Sequence, residues 1–314
     1  MWIRRSVTVV PLLIVYIPFA FGQLPKRVEK CLPYPTLAQE IREMQPASPV
    51  PPQVRVHVIR VDFDSNDGIP ADAQREISEE LRSDVFEPDA DSAYLKDLAN
   101  EIAEVRVREA LRDRGYFKAT GTAKLTPVHT KGADISVIVT IRATPGLQYR
   151  TGNIRIESTD SDSPLAIVPE ILRNLILLQR GELFSTALVR AGLENLGRAY
   201  RREGYVDMTP EPDTEVDDDS RTIDLVIKID QQVQYRVGSI EFLGVNSLTR
   251  EKLMESLPKP GEVFDKTKLD EFFKLNRAIL PPDASWEDVN VRRDLKTRTL
   301  AIVFDFRTCP PTPN

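Results

Sequence analysis

The chain has 314 residues, 41% of them hydrophobic and 29% charged, and a formal net charge of −6. That is apolar material for two or three ordinary domains. An acidic chain without a basic stripe is a poor ligand for nucleic acid or for an anionic lipid surface, and two histidines with two cysteines leave little for zinc or nucleophile chemistry.

Arg4 and Arg5 precede an apolar run over residues 7–21, and Ala20 and Gly22 supply small residues at the −3 and −1 positions of a cut before Gln23. This predicts a cleaved secretory signal peptide over residues 1–22; a retained anchor would need about 20 apolar residues. The mature chain is expected to be exported, water-soluble, and more acidic by the two arginines lost. Residues 23–53 carry seven prolines and read as a linker. A short helix is predicted over 36–44, behind a Thr36 cap. Cys31 lies before the first folded unit and Cys309 after the last. Two thiols in an oxidising compartment often pair, so a disulfide within the chain, one between chains, and none at all are open readings.

The first unit starts with Val54, Val56 and Val58 alternating with Arg55 and His57, the pattern of a strand. Helices follow over 71–84 and 91–114; the second rests on Leu95, Leu98, Ile102, Val105 and Leu111, with one gap wider than a turn. Gly115 and Tyr116 end it, and strands at 119–126 and 135–141 complete the unit. The second unit runs as strand 152–156, helix 167–178, a Gly181-Glu182-Leu183-Phe184 turn, a Ser185-capped helix to 203, then Gly204-Tyr205 and strands 208–216 and 223–229. The third has strand 239–243 between Gly238 and Gly244, a helix 250–257 capped by Thr249, the turn Gly261-Glu262-Val263-Phe264, and an Asp265-capped helix to 279. Leu280-Pro281-Pro282 then stands where Gly-Tyr stood, and strands 286–292 and 300–306 close the unit.

Each unit is therefore β-α-α-β-β. This predicts an α+β fold, a small mixed sheet covered on one face by two helices. Strand one and the closing strand share a sheet, and the remaining strand joins through a hairpin. Open edges are then expected at 119–126, 208–216 and 286–292. Pro210 and Pro212 fit an edge position. An open edge can take an extended chain by main-chain pairing. The third edge is the favoured candidate, because it lacks proline and offers Trp286, Val289, Val291 and Arg292. No catalytic, metal or cofactor site is expected. His57 and His129 have no Ser or carboxylate at a motif spacing. Asp62, Asp64 and Asn66 start like a calcium loop, but Asp67 and Ala73 stand where that loop needs Gly and Glu. Asp217, Asp218 and Asp219 read as a solvated hairpin turn. Gly181, Phe184, Gly204, Tyr205, Gly261 and Phe264, with Gly238 and Gly244, read as structural: glycine for left-handed backbone, aromatics for packing.

The stretch from Tyr149 to Ser185 is echoed from Tyr235 to Asp265, with Gly181 and Gly261 at matching places, which signals tandem repeats. A strand of the type Gly-x-Ile-x-apolar, a helix, a Gly-Glu-apolar-Phe turn, a second helix and a terminal Gly-Tyr together resemble the polypeptide-transport-associated (POTRA) domain of BamA-type outer-membrane assembly factors. The resemblance implies three POTRA-like domains over 54–146, 147–233 and 234–307, followed by a tail at 308–314, with the first the weakest match. It departs from the family pattern at Leu280-Pro281-Pro282, and no series of alternating strands long enough for the barrel that normally follows such domains is read in these residues. It implies a non-enzymatic, periplasmic or outer-membrane-associated module that binds unfolded or extended polypeptides by strand addition and assists outer-membrane protein assembly or transport. A barrel protein or assembly complex is the implied larger partner. No nucleic acid, small-molecule substrate or cofactor is implied. The alternatives are a scaffold that docks one folded envelope partner, or a barrel-less fragment of a larger factor.

Overall fold

The computed structural model describes residues 8–9, 53–64, 68–89 and 93–307. The expected cut before Gln23, the proline-rich linker, Cys31 and Cys309 lie outside these residues. Thr8–Val9 (β1) pairs antiparallel with Val216 and Glu215.

The first repeat contains β2 (Arg55–Phe63), α1 (Ala71–Ser83), β3 (Val85–Phe86), α2 (Tyr94–Glu101), a π segment (Ile102–Val107), α3 (Arg108–Arg112), β4 (Thr120–Lys131) and β5 (Asp134–Thr144). The second contains β6 (Arg150–Ser158), α4 (Pro169–Leu175), α5 (Thr186–Arg202), β7 (Thr209–Asp217) and β8 (Thr222–Asp230). The third contains β9 (Arg236–Leu243), α6 (Ser247–Met254), α7 (Lys266–Leu275), a single 3-10 turn (Trp286–Asp288), β10 (Val289–Asp294) and β11 (Thr299–Asp305).

The three sheets run in the orders β3-β2-β5-β4, β1-β7-β8-β6 and β10-β11-β9. In each, the closing strand sits in the middle, parallel to the first strand and antiparallel to its hairpin partner. The middle strand is the most apolar because a central strand gives one whole face to the core. Ile135, Val137, Val139 and Ile141 do this in β5, Ile223, Leu225, Ile227 and Ile229 in β8, and Leu300, Ile302 and Phe304 in β11; all are buried. Each sheet closes over its own core. The third is aromatic, with Phe304 4.7 Å from Phe242 and 4.6 Å from Phe272, centroid to centroid.

Four local expectations are corrected. Val105 does not face the core but is 48% exposed. The π segment shifts the helix phase, so that Ala103 and Val107 are buried in place of Val105, beside Ile102, which faces the core as expected. The α6 cap is Asn246, whose side chain accepts the Thr249 N–H at 2.8 Å, rather than Thr249. Helix α7 stops at Leu275, short of 279, with Asn276 as its C-cap. The Asn276 amide is buried and donates to Phe272 O and Ser256 Oγ, which ends the helix without a Gly-Tyr. Trp286 is not in a strand. Ser285 and Asp288 form a reciprocal cap that holds it in the 3-10 turn ahead of β10.

Candidate functional site

The Gly-Glu-apolar-Phe turns do more than separate helices. Gly181 and Gly261 take positive φ (86° and 89°), which lets each turn lie along the outer edge of its first strand. Gly181 N–H donates to Thr151 O and Thr151 N–H donates to Glu182 O, both at 2.8 Å; Gly261 and Val237 repeat this with Val237 O and Glu262 O. Phe184 and Phe264 are buried beneath. In the first repeat β3 performs the same task, with Val85 and Phe86 paired on His57 and Val56. The start of the first strand is therefore blocked by its own chain in all three repeats; on the opposite side β4 and β10 are the outer strands, and β7 is flanked by the two-residue β1.

These three edges differ chemically. On β7, Pro210 and Pro212 have no N–H to offer. The Thr214 N–H, of the same strand parity, is taken by the Asp213 carboxylate at 2.9 Å. Val216 comes next on that parity; β1 pairs there but lies within the stretch read as a cleaved signal, so it does not close the edge of a mature chain. Glu211, Asp213, Glu215 and Asp217 add a row of negative charge. Proline and charge are devices that close an edge. On β4, Pro127 precedes an irregularity in the ladder at His129. On β10 there is no proline. Counting back from the hairpin, with Asp217 opposite Thr222 and Asp294 opposite Thr299, Val289 and Val291 stand where β7 has Pro212 and Thr214. The Val289 N–H closes the 3-10 turn on Trp286 O. Val289 and Val291 turn their side chains to the core, and Arg292 projects to solvent. Of the proposed edge residues, Val289, Val291 and Arg292 are thus brought together on one strand. Trp286 stands outside it, packed on Phe273 with the Lys266 ammonium 4.8 Å above its ring.

The residues read as solely structural also build the joints between repeats, which sequence periodicity could not reveal. Gly115 and Gly204 have φ of 85° and 81°. A Cβ on either would stand 2.7 Å from the carbonyl oxygen of Tyr149 or Tyr235, the first residue of the following repeat. Tyr205 packs edge-on against Tyr200. Phe117, just after Gly115-Tyr116, enters the second core and meets Phe184 edge-on at 5.5 Å. Asp113, at the end of the first repeat, accepts from Thr186 Oγ1 and Ala187 N at 2.8 and 2.6 Å, so it caps helix α5 of the second.

Asp62, Asp64, Asp217 and His57 are held in local structure. Asp62 pairs with Arg60 and Asp64 with Arg142. Asp217 accepts the backbone N–H groups of Asp219 and Ser220 in the hairpin turn. His57 Nε2 lies 3.4 Å from Asp134 Oδ1, beside Arg55. Among the described residues no cluster of His, Cys, Asp and Glu is arranged to hold a metal ion, and no helix is long and apolar enough to cross a membrane.

Residues 149–232 match the family model for POTRA, described as a surface antigen variable number repeat. The chain is 27% identical over 183 residues to a putative outer membrane protein assembly factor of Treponema pallidum, a match covering 57% of this chain and 21% of that one. It is 25% identical over 204 residues to the outer membrane protein assembly factor BamA of Buchnera aphidicola, covering 64% and 31%. The match thus spans only about a fifth to a third of these relatives' length. The crystal structure of Haemophilus influenzae BamA POTRA3-5 superposes with a TM-score of 0.56 at 16% identity, covering 81% of this chain and 96% of that one. That is a likeness of fold.

Proposed function

Because the chain carries a POTRA domain over residues 149–232 and is similar to outer-membrane assembly factors, we propose that it is a non-enzymatic, exported module that holds extended polypeptide segments during outer-membrane protein assembly or transport. The contact is strand addition to β10. One observation supports this edge above the others: β10 lacks both the prolines and the capped amide that close β7, and presents Val291 in the place of Thr214. Main-chain pairing there gives affinity that depends little on client sequence, as a module serving many clients requires. Arg292 on the exposed face adds a preference for an acidic neighbour.

The test is an amide-shift titration of the isotopically labelled full chain with an extended peptide of alternating apolar and polar residues. Shifts are expected at Val291 and its β10 neighbours, with β7 unmoved. Shifts confined to β7, or none on any edge, would sink the strand-addition reading. A single folded envelope protein captured at stoichiometry, with no shift from peptides, would favour a docking scaffold instead.

A further inference from the structure

The two joints between repeats share one plan. In each, the glycine of Gly-Tyr gives its carbonyl to the backbone N–H of the next repeat's first tyrosine: Tyr149 to Gly115 at 2.8 Å and Tyr235 to Gly204 at 2.9 Å. The preceding glutamine, Gln148 or Gln234, donates its side-chain amide to Arg114 O or Glu203 O, each at 2.9 Å. The residue after Gly-Tyr packs on the following core, fully for Phe117 and in part for Val206.

The next residue is charged in both, and the sign is opposite. Lys118 Nζ lies 2.7 and 2.8 Å from the two carboxylate oxygens of Asp218, at the tip of the β7–β8 hairpin. Asp207, at the same place in the second repeat, lies 3.1 Å from Arg293 near the end of β10. The ion pair runs basic to acidic across the first joint and acidic to basic across the second. The tyrosine hydroxyl follows the acid whichever repeat supplies it. Tyr149 donates to Asp218 of its own repeat at 2.6 Å, and Tyr235 donates to Asp207 of the preceding repeat at 2.9 Å.

We propose that this reversal is a recognition code for repeat order. The end face bearing Lys118 accepts the hairpin bearing Asp218 and opposes the one bearing Arg293. The end face bearing Asp207 accepts Arg293 and opposes Asp218. Backbone bonds, glutamine and glycine are alike in both joints, so they hold a neighbour without choosing it. Solvent-exposed ion pairs contribute little to affinity, whereas like charges forced together exclude a wrong partner. Two errors are discouraged: docking of repeat three on repeat one, and domain exchange that would dock repeat two of one copy on repeat two of another. The second would be a head-to-tail contact that does not close.

The experiment uses the full chain and hydrogen exchange at the Tyr149 and Tyr235 amides, each of which bonds across one joint. Lys118→Asp is expected to speed exchange at Tyr149 about three- to fivefold, the scale of an exposed pair, and to leave Tyr235 unchanged. Adding Asp218→Lys to it gives the first joint the polarity of the second and is expected to restore protection. Asp207→Lys is expected to speed Tyr235 alone, and Asp207→Lys with Arg293→Asp to restore it. If the single changes left exchange unaltered, or the paired reversals exchanged as fast as the singles, charge would not be what the joints read and the proposal would fail.

Discussion

Strands β7 and β10 occupy the same position in two copies of one fold, each hairpinned to the closing strand on the side away from the first strand. They nevertheless offer different surfaces. One has two prolines, an amide capped by its neighbour's carboxylate and a row of acids; the other has none of these on its core-facing parity. The fold creates a row of main-chain groups at both places, and side-chain chemistry decides which row is usable. A tandem array can thus assign a task to one repeat without altering its architecture.

The strongest way to break this contrast is to remove one side of it. Phe304→Ala takes out the ring at the centre of the third core, where it stacks on Phe242 and meets Phe272 at a tilt. A loss of about 3–5 kcal/mol is expected, enough to unfold that repeat. Exchange resolved by repeat should show β10 unprotected, while β7 and β4, which lie on separate cores, keep their protection. A smaller change should sharpen the contrast from the other side. Pro210→Thr, Pro212→Val and Asp213→Ala together restore the missing N–H groups and remove the carboxylate that accepts the Thr214 N–H. Titration with the same extended peptide should then move β7 amides, with a gain of about 1–3 kcal/mol in binding from the recovered bonds.

The smallest effect concerns the anchor of the third repeat. Burial, and then the Asp207 carboxylate, push the Tyr235 phenol up to about 12 from its usual 10.0. The folded chain holds the proton more tightly than the unfolded one, so this contribution is full below the ordinary tyrosine range and is lost as pH rises through about 12. Phenolate absorbance should rise in that window while protection of the Tyr235 amide, taken relative to the base-catalysed rate of an unfolded chain at the same pH, falls. Exchange that is already fast below it would separate the joint from the phenol.

The repeat plan was legible because three signals agree in register: period-two strands, helical periods, and glycine at fixed turns. The edges were legible for the same reason, since a hairpin pairing with a central strand leaves its outer side open. What escaped depends on contacts that periodicity does not encode. Trp286 is a large aromatic close before Val289 and Val291 and so resembles a strand residue, but the Ser285–Asp288 cap bends it into a turn. Val105 fits a helical period until six π residues shift the phase. Gly204 and Tyr205 read as the end of one helix. Their second role lies in the following repeat, where the space beside Gly204 is filled by the Tyr235 carbonyl. The glutamine before each tyrosine was the available clue: Gln53, Gln148 and Gln234 all precede the first strand, each followed by an apolar or aromatic residue and then arginine.

The turn laid on the first strand also sets a valence. A sheet open on both sides can be extended indefinitely, each added strand exposing a fresh rim for the next. Here Gly261 and Glu262 already occupy main-chain groups at the start of β9, on the side away from β10. Two copies meeting through β10 would each turn this obstructed side outward, and growth would stop at a pair. A sheet of this kind thereby carries its own terminator, placed on the strand that faces away from β10.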